Sequence, residues 1–250
     1  RTRTCARVPP RPSSSTLPAV VAIAQPISTV ADVVNGFTPR AFAFFRELAA
    51  NNTREFWLAH KAEFEAVVRD PMESLLAALP EPYDGFRPFR MNRDVRFSKD
   101  KSPYKTAHAA VLDDRGAVLY LQVGAEGMFA AGGGYLLAPD QLERFRAAVD
   151  APAPGLELER IIDELGHDGI DVGPGGAEPL KTAPRGYDKE HPRIGLLRQK
   201  GIAAGIRLDP DDCRNGDELL ATVVAFFDAV QPLTSWLRDH VGPSTAPRGR

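Results

Sequence analysis

Three apolar runs, residues 105–112, 118–123 and 128–137, are separated by connections of only four or five residues, and this constrains the chain more than any other feature. A parallel crossover needs a dozen residues or more, so neighbouring runs this close pair as antiparallel strands. Asp113, Asp114, Arg115 and Gly116 in the first connection, with Gly124 and Gly127 in the second, are the residue types that tight turns use. A meander is therefore expected at the centre of the molecule. Residues 86–97 alternate in the same two-residue rhythm, with Met91, Arg93, Val95 and Phe97 on one side, which predicts a further strand ahead of a polar turn over 98–103.

On either side of the meander the period changes to that of a helix. Thr38 and Pro39 read as N-cap and first residue of a helix whose stripe is Phe42, Phe45, Leu48 and Ala49. Asn52, with Glu55 three positions on, is expected to cap a second helix over 53–68, and Asp70 and Pro71 to restart a third through Leu79. After the meander, helices are expected over 139–149 and 156–165, followed by a glycine-rich loop over 169–179 and a strand over 201–208. Asn215 with Glu218 caps a last helix through His240, which Pro232 should kink or divide. The fold class expected is α+β: a single domain over 37–241, an antiparallel sheet flanked by N-terminal and C-terminal helices. Residues 1–36, with Arg1, Arg3, Arg7 and Arg11 beside a Pro/Ser/Thr cluster, read as a leader outside the domain, and 242–250 as a disordered tail.

Charge singles out two segments. The formal net charge is −2, so no global field favours nucleic acid or an anionic membrane, and recognition of a polyanion would need a local patch. Residues 86–105 supply one: Arg87, Arg90, Arg93, Arg96, Lys99, Lys101 and Lys105 stand against Asp94 and Asp100, a local charge of +5. Residues 180–200 supply another, +4, with Lys181, Arg185, Lys189, Arg193, Arg198 and Lys200 against Asp188 and Glu190. Arginine offers a planar fork of donors and lysine a mobile point charge, the pair of chemistries that surrounds phosphate or carboxylate. The candidate ligand-binding residues are accordingly Arg93, Arg96, Lys99, Lys101 and Lys105, with Tyr187 and Lys189 from the second segment. Asp188 and His191 are the candidates for moving protons. The bland reading is that Arg93 forms an internal ion pair and that 187–192 is a surface loop.

Other chemistry finds little support. Cys5 and Cys213 lie far apart without a metal-binding neighbour, no Asp, Glu or His spacing marks a metal site, and no cofactor is implied. The glycines at 132–134 lack the lysine and hydroxyl of a phosphate loop. Apolar runs are interrupted before the length of a membrane span, and the free cysteines suit a cytoplasmic setting.

Residues 92–106 (NRDVRFSKDKSPYKT), the run Gly132, Gly133, Gly134 and Tyr135, and residues 184–192 (PRGYDKEHP) closely resemble the bacterial and fungal DUF2461 family. Phe37, Thr38, Pro39, Asn51, Asn52, Trp57 and Lys61 are similar to that family as well, so that the resemblance covers about 37–232. It implies a single cytoplasmic domain and points to the same two basic motifs without naming a reaction. Ala107 and His108 depart from it, where a polar residue usually follows Lys-Thr. Three functional expectations follow: an enzyme or binding protein for an anionic, phosphorylated small molecule; next, a nucleic-acid-binding module with the basic turn as a phosphate-contacting ridge; last, an interaction protein whose basic motifs knit helices to sheet.

Overall fold

The computed structural model describes residues 34–96 and 98–245. A six-stranded antiparallel sheet carries the fold, with β1 (Arg87–Pro88), β2 (Ala107–Asp114), β3 (Ala117–Gly124), β4 (Gly127–Gly134), β5 (Asp171–Gly173) and β6 (Ile202–Leu208) in the order β1-β2-β3-β4-β6-β5. The meander expected from the short connections is β2-β3-β4, and β6 adds to it antiparallel to β4. Around it lie α1 (Pro39–Ala50), α2 (Arg54–Phe64), α3 (Asp70–Ala78), α4 (Pro139–Asp150), α5 (Pro152–His167), α6 (Ile194–Leu197) and α7 (Gly216–His240).

Alternation along the strands divides the sheet into two faces. Ala110, Leu121, Val123, Met128, Ala130, Ile202, Ala204 and Leu208 are buried on one face, where α1 and α7 supply Phe42, Phe45, Leu48, Val223, Phe227, Val230 and Leu237. The opposite face stays accessible: Val111, Tyr120, Gln122, Phe129, Ala131, Ala203 and Gly205 are half-buried and Arg207 is exposed. By length and mean hydropathy α7 could cross a membrane, a property it shares with core helices, and its apolar stripe is spent on this core.

Several boundaries differ from those expected. Thr53, not Asn52, caps α2, its hydroxyl accepting the Phe56 N–H at 3.2 Å. α2 and α3 do not separate, because a π-helical turn, Glu65–Arg69, joins them, with the Asp70 N–H reaching Glu65 O. Pro71 brings no N–H and crowds the carbonyl four residues back, and a widened turn ahead of it accommodates both defects. Pro152 and Pro154 fall in the first turn of α5, where proline costs nothing, so the helix opens before the expected Leu156. The loop expected over 169–179 includes β5. α7 runs undivided through Pro232 because Val230 and Leu233, on either side, are held in the core.

The largest difference concerns residues 86–97. Among the described residues of this stretch only Arg87 and Pro88 are strand; a single bridge, Asn92 with Tyr104, follows, and residues 93–96 and 98–103 form a lobe. Pro88 and Pro103 carry no N–H for a ladder, and Asp100 turns the chain by accepting the Ser102 N–H at 2.9 Å and its hydroxyl at 2.6 Å. Phe97, expected on this strand, lies outside the described residues, as do 1–33 of the expected leader and 246–250 of the expected tail. Val34 is buried and its N–H meets Asp217 of α7, while Gly242 and Pro243 offer their carbonyls to Gln141 and Arg144 of α4.

Candidate functional site

Two side chains from the α1–α2 segment and a pair of backbone hydrogen bonds fasten the lobe at its base. Asn52, between α1 and α2, donates from Nδ2 to Tyr104 O at 2.9 Å and accepts the Tyr104 N–H on Oδ1 at 3.0 Å. Trp57 stacks on the Tyr104 ring with centroids 4.6 Å apart. Across the base, Arg93 N–H donates to Pro103 O and Lys105 N–H to Met91 O, at 2.9 and 2.8 Å.

Both acids of the lobe are used within it. The Arg93 guanidinium pairs with Asp100, and Arg96 forks onto Asp94 through Nε at 2.9 Å and Nη2 at 2.6 Å. The guanidinium, then the Arg96 backbone N–H, holds the Asp94 carboxyl down at about 2. Ser102 first, then Arg93, keeps Asp100 below the usual carboxylate range. Arg93 and Arg96 thus shape the lobe, and neither stands on a strand, so the opposition of faces expected from a two-residue period does not arise. Lys101 Nζ donates to Val95 O at 3.0 Å.

What remains is cationic. Among the described residues, the side chains of Arg87, Arg90, Lys99, Lys101 and Lys105 have no carboxylate partner. They follow β1, the lobe and the entry to β2, with Phe89 exposed at 42% in their midst. The Lys105 ammonium sits 4.8 Å above the Phe89 ring, a cation–π contact, and burial lowers its pKa.

The second basic segment lies elsewhere. Lys105 enters β2 at the end where Ala107 pairs with Gly124, whereas Lys200 enters β6 at the end where Ile202 pairs with Gly134. Those ends are separated by the length of the strands, about 20 Å. The fold therefore does not bring Arg93, Arg96, Lys99, Lys101 and Lys105 together with Tyr187, Asp188, Lys189 and His191 in one cleft. Around 187–193 the bonds secure the chain to α4. Asp188 Oδ1 accepts the Glu190 N–H at 2.9 Å; His191 Nδ1 accepts the Arg193 N–H at 3.0 Å, leaving Nε2 to carry the proton toward Asp150 at 3.2 Å. Arg193 donates to the carbonyls of Val149, Asp150 and Ala151, closing the C-terminal end of α4. Tyr187 is half-buried beside Arg146, its hydroxyl pKa raised by burial and by Asp150, and Lys189 is exposed near Glu190 at 3.9 Å. No group of three or more His, Cys, Asp or Glu side chains among the described residues could hold a metal ion.

Over residues 40–236 the sequence matches the model of a protein family described as conserved hypothetical protein, DUF2461. The chain belongs to the DUF2461 family. No curated protein matches it. Within this DUF2461 domain both basic motifs that carry the resemblance are now placed: the first builds the exposed lobe, the second ties α4 to β6.

Sequence reasoning passed over the accessible face of the sheet. The register sets Ala109 opposite Gln122, Gln122 opposite Phe129, and Phe129 opposite Arg207, while the Phe89 N–H donates to Ala109 O at 2.8 Å. One row thus runs from Phe89, just past β1, across β2, β3, β4 and β6 to Arg207, with Ala109 buried within it. The Arg207 guanidinium lies 4.9 Å above the Phe129 ring, and Tyr120 meets that ring edge-on at 6.5 Å. A side chain at Gly205 would strike the Phe129 ring at 2.8 Å, so glycine there lets the ring lie down on the sheet. A mainly apolar cavity of about 590 Å³ adjoins this end of the row, lined by Phe129, Tyr135, Val172, Arg207, Thr222 and Phe226. The signal available in the sequence was only that Tyr120, Gln122 and Phe129 alternate with the buried residues.

Proposed function

We propose that this DUF2461 protein binds nucleic acid, with the lobe and the β1 edge as the phosphate-contacting surface. The observation that carries the reading is the set of five cations, Arg87, Arg90, Lys99, Lys101 and Lys105, without carboxylate partners among the described residues, on one edge of a molecule whose net charge is −2. Like charges gathered on one edge repel, and a chain of phosphates relieves that repulsion by neutralising several of them at once. A small phosphorylated molecule held between both basic segments, the first expectation, has less support, because the segments stand at opposite ends of the strands. For Arg93 and Arg96 a structural reading is favoured by their pairing with Asp100 and Asp94.

The test is geometric. Fluorescence anisotropy with a labelled oligothymidylate of about twenty nucleotides compares Arg90→Gln/Lys99→Gln/Lys101→Gln with Lys181→Gln/Arg185→Gln/Lys189→Gln. Loss of three phosphate contacts should weaken binding at least tenfold in the lobe variant, and the variant at the far end should bind within twofold of the wild type. Equal weakening by both triples, or by neither, rejects the lobe as the contact surface.

A further inference from the structure

The structure points to a single strand as the form of nucleic acid bound, with its bases laid across the accessible face of the sheet along the row that begins at Phe89; this we infer on top of the nucleic-acid reading above. Three features of the row converge on it.

First, its aromatic rings are placed as platforms and not as core. Phe89 is 42% exposed, and Phe129 lies flat over Gly205 on the accessible face. Three strand spacings separate them, about 14 Å. Stacking on aromatic side chains tolerates any sequence, because every base has a π-face.

Second, each ring is paired with a cation that no carboxylate neutralises among the described residues: Lys105 at Phe89 and Arg207 at Phe129. At Phe89 a base meets the exposed ring with the Lys105 charge beside it; at Phe129, with Gly205 beneath the ring and Arg207 above it, a base stacks on the outer plane of the guanidinium. The row itself, Phe89, Ala109, Gln122, Phe129 and Arg207, contains no acid. Asp113 and Asp171, on the same face, lie on other rows, opposite Val118 and Gly205.

Third, the middle of the row offers hydrogen bonding without charge. The Tyr120 hydroxyl donates to Gln122 Oε1 at 2.7 Å, which leaves the Gln122 amide nitrogen to donate to a base edge. A duplex hides its π-faces and its Watson–Crick edges, so paired strands cannot use the stacking that the row offers. The lobe adjoins the Phe89 end, so phosphates gathered by Lys99 and Lys101 would feed bases onto the row.

Binding to three labelled probes of about twenty units tests this: oligothymidylate, an abasic oligomer with the same phosphates, and a mixed-sequence duplex. Phe89→Ala, at an exposed position, and Phe129→Leu, with its thermal midpoint measured alongside, should each weaken oligothymidylate binding about tenfold and leave abasic binding within twofold. Lys99→Gln/Lys101→Gln should weaken both oligomers. If the lobe variant weakens binding while Phe89→Ala and Phe129→Leu leave oligothymidylate untouched, the base platform is wrong and the phosphate-contacting lobe stands. Tighter binding of the duplex than of oligothymidylate also overturns the inference, and failure of all three probes to bind overturns both readings.

Discussion

Asn52 is one of the residues on which the lobe hangs. An amide presents a donor and an acceptor side by side, and here they satisfy both backbone groups of Tyr104. Asn52→Ala leaves that N–H and carbonyl half-buried without partners and should cost about 2 kcal/mol, read from urea unfolding. It should also weaken oligonucleotide binding severalfold, since the cations of the lobe would no longer be held in place. His108 makes a second prediction. It stands in β2 on the core side, 4% exposed, edge-on to Phe64, with neither ring nitrogen hydrogen-bonded. Burial, then the charges of Lys105 and Arg69, depresses its pKa from 6.5 to about 4. Above pH 6.5 the imidazole is neutral in folded and unfolded chains alike. Below it the unfolded chain takes up a proton that the folded chain refuses until about pH 4, so stability falls over that window. His108→Leu should match or exceed the wild type at pH 7 by about 1 kcal/mol, because an unpartnered polar ring leaves the core. Its advantage should grow by about 2 kcal/mol at pH 5, and a gap independent of pH between 7 and 5 would contradict this account of the shift.

Among the elements, the second basic segment is best understood as a strap. Arg193 is nearly enclosed, its guanidinium on the last carbonyls of α4 and 3.5 Å from Glu159, over Gly155, where any β-carbon would collide with it. Arg193→Met should cost about 3 kcal/mol in thermal or urea unfolding, since charged hydrogen bonds to a helix end are lost and the carbonyls stay buried. Asp188→Asn keeps the acceptor for the Glu190 N–H and should change stability by less than about 0.5 kcal/mol. Neither change should alter oligonucleotide binding more than twofold. Elements whose logic is local were legible from the sequence. Thr38 and Pro39 open α1, Asn215 accepts the N–H groups of Asp217 and Glu218 to open α7, and the brief connections dictate β2-β3-β4. The lobe was not, because Met91, Arg93 and Val95 alternate as a strand would, while prolines at 88 and 103 and the turn at Asp100 stop the ladder. Nor was the row from Phe89 to Arg207, whose alignment depends on how β1 and β6, separate in the chain, register against the two edges of the β2-β3-β4 meander.

At the scale of the whole molecule, the α+β domain has a covered and an uncovered side. Helices α1 and α7 bury one face of the sheet; the other keeps the Phe129 ring with Arg207 over it accessible, beside an edge where β1, the lobe and the entry to β2 together carry five cations that have no carboxylate partner among the described residues. This division of labour requires affinity to be electrostatic in origin and local in position, despite the negative net charge. The most direct measurement is the salt dependence of oligothymidylate binding between about 50 and 200 mM. Engagement of four or five phosphates predicts that log K falls against log salt with a slope of about −3, and that Lys99→Gln/Lys101→Gln brings the slope to about −2. A slope near zero, or one that those two substitutions leave unchanged, would contradict the account.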